Sequence, residues 1–138
     1  MLQRIQTIWL ALASVCAFLT LRFSFYSGNK IVNGIKQFEP LTATDNLILL
    51  VLTVAVAITC LIVIFLYKQR GTQMKIGFAA LAVSVINIIL FFSAVNHFAE
   101  GSYDLTAPFA FAVPVFILLA ITGIYKDQKL VKSVDRLR

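Results

Sequence analysis

The chain has 138 residues, 60% of them apolar and 13% charged, with a mean hydropathy of +0.91. Soluble domains average about 45–50% apolar and about 25% charged, so both departures exclude an ordinary soluble globular protein. The net charge of +6 sits on basic residues that flank apolar runs and form no separate stripe, which argues against nucleic acid as a partner and for anionic headgroups at a membrane surface.

The first apolar run covers 7–26 and is interrupted only by Arg22. It follows a basic start at Arg4, but it exceeds the roughly 7–15 residues of a signal-peptide core and no small-x-small cleavage site follows, so it reads as a retained span. Arg22, one turn from the end of the run, can snorkel to the headgroups. Residues 27–45 form the longest loop. Within it Asn33-Gly34 separates Lys30-Ile31-Val32 from Ile35-Lys36-Gln37-Phe38, and Asn-Gly between such stretches is the strongest short-range hairpin signal. The expectation is a small extracytoplasmic β-hairpin resting on the helices or on a partner, because an isolated two-stranded hairpin is marginal in water.

The second span covers 46–67, with Thr42, Thr44 or Asp45 as its cap and no charge in its core. The short basic turn Lys68-Gln69-Arg70-Gly71-Thr72-Gln73-Met74-Lys75 makes the second and third spans antiparallel neighbours. The third span covers 76–97, and a short acidic loop, Phe98-Ala99-Glu100-Gly101-Ser102-Tyr103-Asp104, follows it. The fourth covers 106–125. Pro108 falls in its first turn, where a missing N–H does no harm, and the deeper Pro114 predicts a kink. Short connections favour an all-α membrane protein, an up-down-up-down four-helix transmembrane bundle forming one domain over 1–138.

Residues 126–138 form an amphipathic cytoplasmic tail. Leu130, Val131, Val134 and Leu137 follow helical spacing, and Lys129, Lys132, Arg136 and Arg138 on other faces are candidate contacts to anionic lipid or to a protein partner. Orientation follows from the cations. Arg4, Lys68, Arg70, Lys75, Lys126, Lys129, Lys132, Arg136 and Arg138 fall on one side, against Arg22, Lys30 and Lys36 on the other. The positive-inside rule therefore places both termini in the cytoplasm. Tyr26, Tyr67, Tyr103, Tyr125 and Trp9 lie near span ends, as an aromatic belt does.

Polar groups inside spans are the default functional candidates. Asn87 lies near mid-membrane with Ser84 one turn before it, and the expected role is an interhelical hydrogen bond worth about 0.6–2 kcal/mol. Asn96, His97 and Glu100 gather where the third span ends, and His97 and Glu100 share a face if the helix continues. His97 is the only histidine, so a His-rich metal site is excluded. Thr53, Thr59 and Thr122 can return their hydroxyls to their own helices. Cys16 and Cys60 belong to no CxxC or Cys/His cluster and read as small apolar residues. No catalytic triad, HExxH, phosphate-binding glycine loop or intramembrane carboxylate occurs in the sequence, so neither an enzyme nor a cofactor is expected.

Three stretches carry a family resemblance: the start Met1-Leu2-Gln3-Arg4-Ile5-Gln6-Thr7-Ile8-Trp9-Leu10, the turn Tyr67-Lys68-Gln69-Arg70, and the ending from Asp127 to Arg138. The chain resembles an uncharacterised family of small four-span inner-membrane proteins from Bacteroidota. That resemblance implies location and topology and carries over no catalytic or binding residue. The functional expectation is a non-enzymatic accessory or scaffold subunit of a membrane assembly, in contact with anionic lipid and with another membrane protein or a second copy. Its rival is a small-molecule or lipid binding or transport protein with a cavity near Asn87, and a third reading is redox chemistry between Cys16 and Cys60.

Overall fold

A computed structural model of the chain describes residues 2–32, 34–67 and 69–135; the side chains of residues 2–4, 132, 134 and 135 are not described. Along it run α1 (Leu2–Arg22), β1 (Tyr26–Val32), β2 (Ile35–Leu41), α2 (Leu47–Phe65), α3 (Arg70–Val95), β3 (Glu100–Tyr103) and α4 (Pro108–Asp135). Among the described residues, four helices are long and apolar enough to cross a membrane. The shortest, α2, has 19 residues and rises about 28 Å, close to the roughly 30 Å of a hydrocarbon core.

The distribution of side-chain size over these helices suits lipid. Ile58, Leu61, Ile62 and Phe65 on α2, Val85, Ile86 and Ile89 on α3, and Val115, Leu118 and Leu119 on α4 are exposed. The small residues Ala13, Ala17, Ala57, Ala80 and Ala120 are buried between helices. Apolar helices gain nothing by hiding from lipid, so they associate through close approach of small residues and interhelical hydrogen bonds. So many large apolar side chains turned outward on long helices are what lipid accommodates and water penalises.

Helix α1 packs on α4 and α2, α2 on α3, and α3 on α4. Between α1 and α4, Trp9 stacks on Phe116 at 5.7 Å between ring centroids. Nearby, Gly123 admits Gln6 so closely that an added Cβ would lie 2.8 Å from its Cγ. Ser14 Oγ donates to the Ala57 carbonyl at 3.1 Å, tying α1 to α2. Gln73 Nε2 donates to the Val63 carbonyl at 3.0 Å, tying α3 to α2.

The element bounds shift from those expected, for one physical reason: an apolar run marks what lipid can accept, not where the backbone stops being helical. Helix α1 begins at Leu2 and ends at Arg22, four residues before the apolar run does. The remaining Phe23-Ser24-Phe25-Tyr26 leads into the sheet, where Phe25 N–H donates to the Leu41 carbonyl at 2.7 Å. Much of the basic turn after α2 is the first turns of α3, which starts at Arg70. The cap of α2 is Asn46, whose side chain accepts from Ile48 N–H at 3.1 Å, while Asp45 turns back to Thr42. Helix α4 runs without interruption from Pro108 to Asp135, so the described part of the tail continues the fourth span.

At one end of the helices lies a three-stranded antiparallel sheet in the order β2-β1-β3. Strands β1 and β2 form the hairpin around Gly34, whose φ of 79° is the left-handed conformation that such turns need. Asn33 lies outside the described residues. The third strand was not foreseen. It is the acidic stretch after α3, and it pairs Tyr26 with Tyr103 and Asn29 with Glu100. Gly28 faces Gly101 in this register, and the two backbones approach more closely than any side chain would allow. Helices and sheet share an apolar cluster of Phe25, Tyr26, Leu41, Leu49, Phe91 and Ala110.

Candidate functional site

In the helix interior Asn87 Nδ2 donates to Thr53 Oγ1 at 2.8 Å, a contact between α3 and α2. Thr53 returns its own proton to the Leu49 carbonyl at 2.7 Å, as expected of a hydroxyl on an apolar helix, and so it can only accept from Asn87. Asn87 Oδ1 is buried without a partner among the described residues. Asn87 borders a cavity of about 10 Å³ that Ala17, Thr20, Thr53, Ser84 and Phe91 also line. Ser84 does not bond Asn87, because its hydroxyl donates to the Leu81 carbonyl at 2.7 Å. A single water needs about 10–15 Å³, so this cavity has room for one water at most.

The sheet end holds a polar network centred on Asp104. Asp104 Oδ2 accepts from Ser24 Oγ, and from Ser27 Oγ at 2.6 Å. Thr106 Oγ1 donates to the Ser24 carbonyl at 2.5 Å, and Asp104 N–H donates to the Phe25 carbonyl at 3.3 Å. Together these bonds clasp the exit of α1 to the entry of α4. Nothing in the local sequence announces Asp104 as their hub, since its partners lie about 80 residues away in the chain. Replacing Asp104 with alanine is expected to cost about 2–3 kcal/mol, since hydrogen bonds to a charged acceptor are the stronger kind. Asparagine, which keeps one acceptor, should cost about half as much. Thermal unfolding in detergent micelles measures both.

The three residues expected to gather after the third span do not form one unit. Helix α3 stops at Val95 with Asn96 as its C-cap, so His97 and Glu100 do not share a helix face. Glu100 lies in β3 and accepts from Lys36 Nζ at 3.1 Å, an exposed pair worth at most about 1 kcal/mol. His97 instead borders an open groove of about 500 Å³ with Lys30, Glu39, Asp45 and Phe98. Among the described residues, no three His, Cys, Asp or Glu side chains are grouped so as to hold a metal ion. Cys16 and Cys60 are buried and unbonded in the same apolar cluster.

Of the tail candidates, Lys129 is exposed on α4 and Lys132 lies within that helix. Arg136 and Arg138 lie outside the described residues. Sequence reasoning passed over two buried amides near this end, Gln6 and Gln73, because glutamine at the edge of an apolar run looks like an ordinary surface residue.

The fold and these polar contacts define a class: a four-helix chain with the span lengths and outward apolar faces of a multi-pass membrane protein, topped by a small sheet. Within that class the chain belongs to the family described as Domain of unknown function DUF4293, whose model matches residues 2–137. Comparison with curated proteins and with solved structures finds no match to the chain.

Proposed function

We propose that the chain is an integral protein of the bacterial inner membrane, an up-down-up-down bundle of four spans with both termini in the cytoplasm. It serves there as a non-enzymatic accessory or scaffold subunit of a membrane assembly. The cyclic packing of α1, α2, α3 and α4 supports the bundle, and the gathering of Arg70, Lys75, Lys126 and Lys129 away from the sheet supports the orientation. The inner-membrane and Bacteroidota setting comes from the resemblance carried by the start, the basic turn and the ending.

One observation carries the functional reading. The helix interior is filled at the level of Asn87, whereas the hairpin presents Ile31, Ile35 and Phe38 at 59%, 66% and 70% exposure. Strand β3 pairs only with Tyr26–Asn29, so the far half of the hairpin extends beyond the three-stranded part of the sheet. Apolar side chains held out on a protruding edge suit contact with another protein. A photo-reactive side chain placed at Phe38 in native membranes is therefore expected to yield a discrete cross-linked species. Recovery of the tagged chain only as an uncross-linked monomer would overturn the reading.

The rival role, binding or transport around Asn87, requires more room than the cavity offers. Asn87→Leu removes one interhelical bond and one unpartnered oxygen together. Its stability is expected to stay within about 1 kcal/mol of the parent, with growth and uptake unchanged. Lost uptake at normal stability would favour the rival.

A further inference from the structure

Away from the sheet, the start of α1, the end of α2 and the start of α3 enclose a cleft of about 470 Å³. Its lining divides by chemistry. Ile8, Ile64 and Phe65 make an apolar wall, with Ile8 and Phe65 exposed on the helix surfaces where acyl chains would pass. Gln6, Arg70 and Gln73 make a polar one.

Arg70 is the unusual member. It is partly buried, and its Nη1 donates to the Asp127 carbonyl at 3.1 Å. Among the described residues the ion pairs are Lys30–Glu39 and Lys36–Glu100, so no carboxylate lies within 4.0 Å of the guanidinium. Asp127 is itself buried, but it offers Arg70 its backbone oxygen and not its carboxylate. A guanidinium carries five N–H donors in a planar fork. One held partly out of water without an anion is left short of both charge and acceptors. Phosphate oxygens match the fork in geometry and charge. Gln6 adds a second unmet donor, since it is only 5% exposed and its Nε2 has no partner among the described residues. The Gln73 amide is already committed to Val63. Lys75, Lys126 and Lys129 lie at the same end and make the surroundings attractive to anions.

We propose that this cleft is a binding site for an anionic phospholipid, with the phosphate on the Arg70 fork and an acyl chain along Ile8, Ile64 and Phe65. The site rests on the membrane-spanning part of the function proposed above and is independent of the scaffold role.

The test uses the full chain purified in a non-ionic detergent. Retention of phosphatidylglycerol and phosphatidylethanolamine is read by native mass spectrometry, and the melting temperature is read with each lipid and with inorganic phosphate alone. The wild type is expected to retain phosphatidylglycerol about tenfold over phosphatidylethanolamine, and Arg70→Gln to lose that preference, as removal of one charge-assisted contact predicts. Lys36→Gln, on β2 at the other end of the helices, should keep the preference within about twofold, because a charge several Debye lengths away is screened. Phe65→Ser, which alters the apolar wall and makes no bond to α4, should weaken retention of both lipids, and it serves if Arg70→Gln fails to fold. An unchanged preference in Arg70→Gln, or unchanged retention in Phe65→Ser, overturns the proposal. A melting temperature raised as much by inorganic phosphate as by phosphatidylglycerol overturns the lipid and leaves a phosphate site. Extraction of the chain from native membranes by alkaline carbonate would instead defeat the membrane-spanning reading, whatever the lipid result.

Discussion

Gly101→Ala is expected to detach β3 from the sheet and to destabilise the chain by about 3 kcal/mol, at the upper end of ordinary overpacking. A Cβ on Gly101 would lie 2.6 Å from the Ser27 carbonyl oxygen, 2.6 Å from Tyr26 Cε1 and 2.7 Å from Gly28 Cα. Two of those neighbours are backbone of the central strand, which cannot turn aside as a flexible side chain would. The reciprocal substitution Gly28→Ala meets the Glu100 carbonyl and Gly101 Cα and should behave alike. Gly71→Ala is the control: nothing lies within 4 Å of its Cβ, and alanine in the first turn of α3 should be neutral or stabilising by about 0.5–1 kcal/mol. Unfolding in detergent, followed by proteolysis of the hairpin, separates the cases. Equal melting temperatures for Gly101→Ala and Gly71→Ala would show that the strands do not approach as described.

The second large effect is expected at Phe25, which joins α1 to the sheet. Its ring is 3% exposed and lies 4.8 Å from Phe91, 5.9 Å from Phe92, 5.8 Å from Tyr103 and 5.8 Å from Phe111, measured between centroids. Its backbone bonds in both directions, to the Leu41 carbonyl through N–H and to Asp104 N–H through its own carbonyl. Phe25→Ala leaves a hole among four rings that cannot all collapse into it, and a loss of about 3–5 kcal/mol is expected. Phe38→Ala, on the exposed face of β2, should change stability by no more than about 0.5 kcal/mol. A similar melting temperature for the two variants would refute the aromatic cluster as the joint between helices and sheet.

The contrast between Phe25 and Phe38 shows what was legible beforehand. Both sit in apolar or alternating stretches, and composition alone ranks them equally. The first was counted into a span and the second into a hairpin. What separates them is burial, which depends on α3 and α4 arriving from elsewhere in the chain. Asn87 stands out in the sequence as an interhelical contact candidate because an amide inside an apolar run is conspicuous, and in the structure its Nδ2 donates to Thr53 Oγ1. Its partner Thr53 does not stand out, because a threonine bonded to its own helix gives no sign that its oxygen also accepts from another.

Four apolar segments, the basic turn between the second and third, and the hairpin turn at Asn33-Gly34 were properties of the sequence by itself. Each is local: lipid demands about 20 consecutive apolar residues, and a tight turn demands a residue that tolerates positive φ. Only the tertiary structure decided that the acidic stretch 100–103 is a strand and that Gly28 and Gly101 must both lack side chains. It also decided that Asp104 holds two serines, and that Arg70 borders a cleft without an ion pair to any carboxylate among the described residues. Those facts join residues tens of positions apart, and no periodicity within either segment encodes its partner. The class of protein was therefore written in short-range hydropathy, while the surfaces on which its proposed contacts depend arise from long-range packing.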